Sequence, residues 1–139
     1  MKILLPVDSC AHTDRATRHV IAMAKSGTHQ VMLINVQPLI DAPELRSHLP
    51  AHEVEAMQEA RGGDALKSAR ALLDQAGVAY TPSVMVGPVA ETIAKFAADQ
   101  ACELIVMGTR SAGTLQRLVM GSLTTSVIHL TDRPVTIVK

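Results

Sequence analysis

Short apolar runs rich in β-branched residues alternate with longer stretches of helical periodicity, and this alternation limits what the chain can fold into. The runs are residues 2–7 (KILLPV), 30–36 (QVMLINV), 79–86 (AYTPSVMV), 103–108 (ELIVMG) and 134–138 (PVTIV). Their length and composition predict five strands. Four helices are predicted between them. Residues 13–26 open at Thr13, an N-cap type followed by Asp14, and repeat apolar positions at Ala16, Val20, Met23 and Ala24. Residues 52–76 carry Val54, Met57, Leu66, Ala69, Leu72, Leu73 and Ala76 and stop at Gly77, with Gly62-Gly63 a candidate break. Residues 89–100 set Ala90, Ile93, Ala94 and Ala97 on one face, and 122–131 do the same with Leu123, Val127 and Leu130. Strands apolar on both faces and separated by helices require a parallel sheet covered on both sides. The expectation is an open α/β fold, and 139 residues suit a single domain over 1–139.

Sheets of this kind bind ligands beyond the carboxyl ends of their strands, where strand order reverses. The segments to search are therefore 8–13, 36–52, 87–88 and 108–121. Composition narrows the guest. Lys+Arg and Asp+Glu balance at 13 each, which argues against a nucleic-acid binder needing a basic footprint. Tyr80 and Phe96 are too few aromatics for a base-stacking platform. No apolar run has the length of a membrane span, and the opening Met1 to Val7 meets Asp8 too soon for a signal-peptide core, so the expected address is the cytoplasm. Cys10 and Cys102 would fall at opposite ends of a parallel sheet, which disfavours a disulfide. His48 and His52 are separated by Pro50, which denies them a shared helical turn for metal binding. The connection 37–51, with Pro38, Pro43 and Pro50, reads as a lid or a plain surface loop.

The strongest chemical signal is Gly108-Thr109-Arg110-Ser111-Ala112-Gly113-Thr114, followed after Leu115 to Met120 by Gly121-Ser122-Leu123-Thr124-Thr125. A strand exits into small residues and the next helix starts at Gly-Ser. Free backbone N–H groups there, with the hydroxyls of Ser122, Thr124 and Thr125, make an anion site, for which phosphate is the natural guest. Arg110 and Arg117 either add charge or are solvated surface residues. The alternative is a tight turn with an ordinary cap. A dinucleotide glycine fingerprint is missing after the first strand, and no P-loop sequence occurs.

Pro6-Val7-Asp8, the Asn35-Val36 exit, Val86-Gly87-Pro88, the Gly108 to Ser122 spacing and the closing Pro134-Val135-Thr136-Ile137-Val138 fall in an order that resembles the universal stress protein family. That family opens on a strand ending in Pro-x-Asp, carries G-x2-G-x9-G-[ST] in its nucleotide-binding branch and closes on Pro-Val-x-x-Val. The resemblance spans the whole chain. It implies a sheet ordered 3-2-1-4-5, a crevice between the first and fourth strands, and a homodimer joined through residues 134–138. It also implies ATP, AMP or ADP as ligand, with Mg²⁺ an optional companion. Asp8 and Val36 would border the adenine. The implied nucleotide set is Pro6, Val7, Asp8, Val36, Met107, Gly108, Arg110, Ser111, Gly121, Ser122, Leu123 and Thr124.

The second glycine of the motif is replaced by Ser111, and Ser9-Cys10 stands where the family commonly has Gly-Ser. If the backbone at Ser111 needs a positive φ, serine costs roughly 1–2 kcal/mol, a five- to thirty-fold weakening of binding. These departures keep open a nucleotide-free interaction module as the alternative function. Catalysis is not evident, since phosphoryl transfer needs a positioned metal and a base, and Asp8 is the acid that falls in the crevice. A slow ATPase using His12 or Arg110 is a further alternative. His12 is expected in the first strand's exit loop, near a bound phosphate or simply solvated.

Overall fold

The computed structural model describes residues 1–8, 11–39, 49–109 and 121–139, with nothing said of the Ala11 side chain. Among the described residues five strands, β1 (Lys2–Pro6), β2 (Gln30–Gln37), β3 (Tyr80–Val86), β4 (Leu104–Gly108) and β5 (Val135–Val138), alternate with four helices, α1 (Ala11–Ala24), α2 (Ala51–Gln75), α3 (Val89–Asp99) and α4 (Ser122–Leu130). The strands form one parallel sheet in the order β3-β2-β1-β4-β5, as the resemblance implied.

Alternation along each strand divides the core between the two faces. Ile3, Leu5, Val31, Leu33 and Val106 meet Ala16 and Val20 of α1 and Leu66, Ala69 and Leu73 of α2 on one face. Leu4, Met32, Ile34, Ile105 and Met107 meet Ile93 and Ala97 of α3 and Val127 of α4 on the other. The first two helices thus cover one face and the last two cover its reverse. The helices that follow β1 and β4, neighbours in the sheet, pack on opposite faces, so the connections diverge beyond the two carboxyl ends and leave a crevice.

Two helix expectations change. The first helix begins at Ala11, not Thr13. Thr13 is therefore inside the helix, where its Oγ1 donates to the Asp8 carbonyl at 2.9 Å and fastens α1 to the β1 exit. His12 accordingly sits in the helix's first turn rather than in a loop. The second helix runs unbroken through Gly62-Gly63. Gly62 is buried against β3, where a Cβ would collide with Val84 Cγ1. The glycine is there for close helix–sheet approach, which outweighs its cost of about 1 kcal/mol in helix propensity.

The helix ends at the far pole are closed by backbone bonds. After α2, Gly77 (φ +69°) donates to Asp74 and Val78 to Leu73, a Schellman pair. After α3, Ala101 donates to Ala98 and Cys102 to Ala97 in the same pattern, with Ala101 held at φ +53°. Cys102 is a free, fully buried thiol, while Cys10 lies outside the described residues. So does most of the 37–51 connection. Among the described residues no helix is long and apolar enough to cross a membrane.

Candidate functional site

Beyond the carboxyl ends of β1 and β4 lies a crevice of about 260 Å³. Its described lining includes Pro6, Val7, Asp8, Val36, Met107, Gly108, Gly121, Ser122, Leu123 and Thr124, which are all of the expected site residues that the structure describes. Arg110 and Ser111 lie outside the described residues, as do Ser9, Gly113 and Arg117. The lining also takes in His12, Thr13, Asn35, Val89 and Ile93.

The apolar wall comes from Val36 on β2, Met107 on β4, and Val89 and Ile93 on α3. In the same lining, α4 opens on Gly121 with no side-chain hydrogen bond capping its first turn. Its leading N–H groups, with the positive end of the helix dipole, can therefore receive an anion. Thr124, almost fully buried, brings a hydroxyl to the same lining. An apolar wall in the same lining as an uncapped helix start suits a ligand with one apolar part and one anionic part.

The β1 exit is fixed by two bonds. The Val7 N–H donates to the Ile34 carbonyl at 2.8 Å, continuing the β1–β2 ladder. The Val7 carbonyl accepts from Asn35 Nδ2 at 2.8 Å, and Asn35 Oδ1 in turn accepts from Gln37 Nε2 at 2.6 Å. Asn35 is buried, so its amide is committed to holding the segment that carries Asp8. The Asp8 carboxylate faces the ring of His12, with Oδ2 3.5 Å from Nε2. Gly108, at the β4 exit, lies under the α1 start, and a Cβ there would collide with the His12 carbonyl oxygen. This glycine is demanded by the packing of α1 on β4, whatever it offers a ligand.

Sequence reasoning quoted Asn35 only as part of a strand exit, although a lone amide inside an apolar run is itself a signal. Val89 and Ile93 were missed as lining because an apolar helix face reads as core. Among the described residues no three His, Cys, Asp or Glu side chains group as metal ligands.

The model of the universal stress protein family matches residues 1–139. The chain belongs to the universal stress protein family. Universal stress protein MJ0531 of Methanocaldococcus jannaschii is 30% identical to it, over 99% of this chain and 81% of that protein. The solved structure of MJ0577, from the same organism, superposes with a TM-score of 0.79 at 26% identity, covering 99% of this chain and 94% of that one. A universal stress protein of Archaeoglobus fulgidus in complex with dAMP shares the fold with a TM-score of 0.72 at 20% identity, covering 100% and 98%. The family membership agrees with the sheet order and the crevice between β1 and β4.

Proposed function

We propose that this universal stress protein captures an adenine nucleotide, ATP or its AMP and ADP relatives, in the crevice between β1 and β4. It acts as a regulatory binder in the cytoplasm and works as a homodimer joined through β5. The observation that carries the reading is the convergence of Asp8, Val36 and Met107 with the uncapped start of α4 around one slot. The base lies against Val36, Met107 and Val89, near Asp8, and the phosphates lie at Gly121, Ser122 and Thr124, where backbone N–H groups and hydroxyls donate to anions. The Archaeoglobus fulgidus relative in complex with dAMP supports the same ligand class. Mg²⁺ accompanies ATP as part of the ligand.

Calorimetry with ATP and Mg²⁺ tests the proposal. Saturable binding is expected, weakened by Ser122→Ala and tightened by Ser111→Gly. No heat and no protection from thermal unfolding at about millimolar ATP, a ligand strength of about 4 kcal/mol, refutes it. The replacement of the motif glycine by Ser111 favours one second reading, a nucleotide-free interaction module. The purified protein separates the two, because a binder retains adenine nucleotide through purification and an interaction module does not.

A further inference from the structure

The outer side of β3 is an edge of the sheet, and among the described residues no strand lies beside it. In a parallel strand the N–H and C=O of one residue point to the same side, and successive residues alternate sides. The bonds of β2 set the phase. Gln30 donates to the Met1 carbonyl and Ile34 accepts from the Val7 N–H, so the even-numbered residues of β2 face β1. Its odd-numbered residues therefore face β3, and the Gln37 carbonyl accepts from the Gly87 N–H at 3.0 Å, just past the end of β3. Counting back from Gly87, Thr81, Ser83 and Met85 turn their backbone groups to β2. Tyr80, Pro82, Val84 and Val86 turn theirs outward.

The proline thus occupies an outward position, where the ladder to β2 loses nothing by its missing N–H. A strand arriving from outside does lose. A second copy pairing antiparallel about a two-fold axis at Ser83 would set Pro82 against Val84 of that copy. The ring would stand where a donor is needed, the facing carbonyl would be left without a partner, and symmetry would repeat the fault across the axis. Pro82 and Thr81 are exposed, so packing does not call for the ring. Pairing is otherwise a hazard here, because β3 is seven residues long and its sequence, YTPSVMV, has no charge to deter it. The opposite edge is built differently. β5 reads VTIV, with neither proline nor charge, and Pro134 just before it faces inward, its carbonyl accepting from Ile105 of β4. We infer that Pro82 closes the β3 edge to a second copy of this chain, so that edge-to-edge pairing is left to β5 and assembly stops there. The role of β5 rests on the homodimer proposed above, whereas closure of β3 stands without it.

The experiment compares the unmutated protein with Pro82→Thr, which restores the outward N–H in a residue suited to strands. Light scattering over a concentration series reads the mass, and thermal unfolding checks that the variant folds. Pro82→Ala restores the same N–H and takes its place if the threonine variant does not fold. The weight-average mass of the folded variant is expected to rise about twofold or more above that of the unmutated protein, reversibly on dilution. Amide exchange locates the contact. The Val84 N–H should exchange quickly in the unmutated protein and become protected in the associated variant, while that of Ser83 is protected in both. A folded variant whose mass matches the unmutated protein overturns the inference. So does growth that leaves the Val84 N–H unprotected, or protection of that N–H in the unmutated protein. A monomeric unmutated protein contradicts the β5 homodimer alone, and the variant's mass relative to it still decides the part played by Pro82.

Discussion

At Ala101 an L-residue with a Cβ is held at φ +53°, in the αL region that glycine occupies at the equivalent place after α2. Both positions close a helix with the same pair of backbone bonds, so the geometry is imposed by the cap and not by the residue. Ala101→Gly should therefore stabilise the protein by about 1 kcal/mol, relief of αL strain exceeding the extra entropy glycine brings to the unfolded chain. Urea unfolding checks this, with an unchanged or lower midpoint as the contrary result. The next residue gives a pH effect. Burial pushes the Cys102 thiol up, against smaller opposing contributions from Lys2 and Arg133. A raised folded value means that the folded state holds its proton while the unfolded thiol ionises. Stability is thus intact below the ordinary thiol range and falls as pH rises through that range towards the folded value. Alkaline unfolding should be shallower in Cys102→Ala than in the unmutated protein, even though the alanine variant starts less stable because of its cavity. At this scale Asp8 and Val36 were expected at the crevice through the family resemblance, and Gly121 and Ser122 through the motif spacing, and all four line it. The His12–Asp8 contact was not legible, since it depends on α1 starting two residues before Thr13.

The elements themselves were mostly legible, because strands buried on both faces leave long apolar runs that nothing else in a globular chain requires. Gly62-Gly63 misled for a local reason. Helix propensity counts glycine as a breaker, while Val84 across the interface requires the missing Cβ. The strand β5 raises a different question, that of an exposed edge. Its neighbour β4 receives the carbonyls of Pro134 and Val138, through the N–H groups of Ile105 and Thr109. In an extended strand the backbone groups alternate sides, so those of Val135 and Ile137 point to the open edge, where a second copy can pair about a two-fold axis. An unpaired apolar edge is an aggregation hazard that such pairing removes. Ile137→Pro deletes one outward N–H without touching the bonds to β4. A dimeric mass for the unmutated protein and a folded monomer for this variant are expected in light scattering. A monomeric parent at micromolar concentration, or a variant that stays dimeric, contradicts the β5 interface.

Over the whole molecule, the proposed nucleotide would be linked to folding through the crevice, whose described lining is drawn from residues 6–8, 12–13, 35–36, 89, 93, 107–108 and 121–124. A ligand that binds only this assembled arrangement stabilises the folded state by about 2.7 kcal/mol at a hundred times its dissociation constant. ATP should accordingly raise the melting temperature by roughly 10 °C in a domain of this size, and removing nucleotide from a purified sample by dialysis should lower it by a similar amount. The sheet order was legible only through the family resemblance, because strand neighbours such as Ile3 and Leu104 are remote in sequence and no local pattern records their pairing. That remoteness has a consequence in time. The central strand leaves the ribosome before the other four strands, and one of its edges pairs with a strand made about 100 residues later, an interval of roughly 5–20 s at ordinary translation rates. Through that interval β1 and β2 can pair on one side while the other side stays bare. The nascent chain is then most vulnerable to mispairing, at the strand that the finished protein shields best.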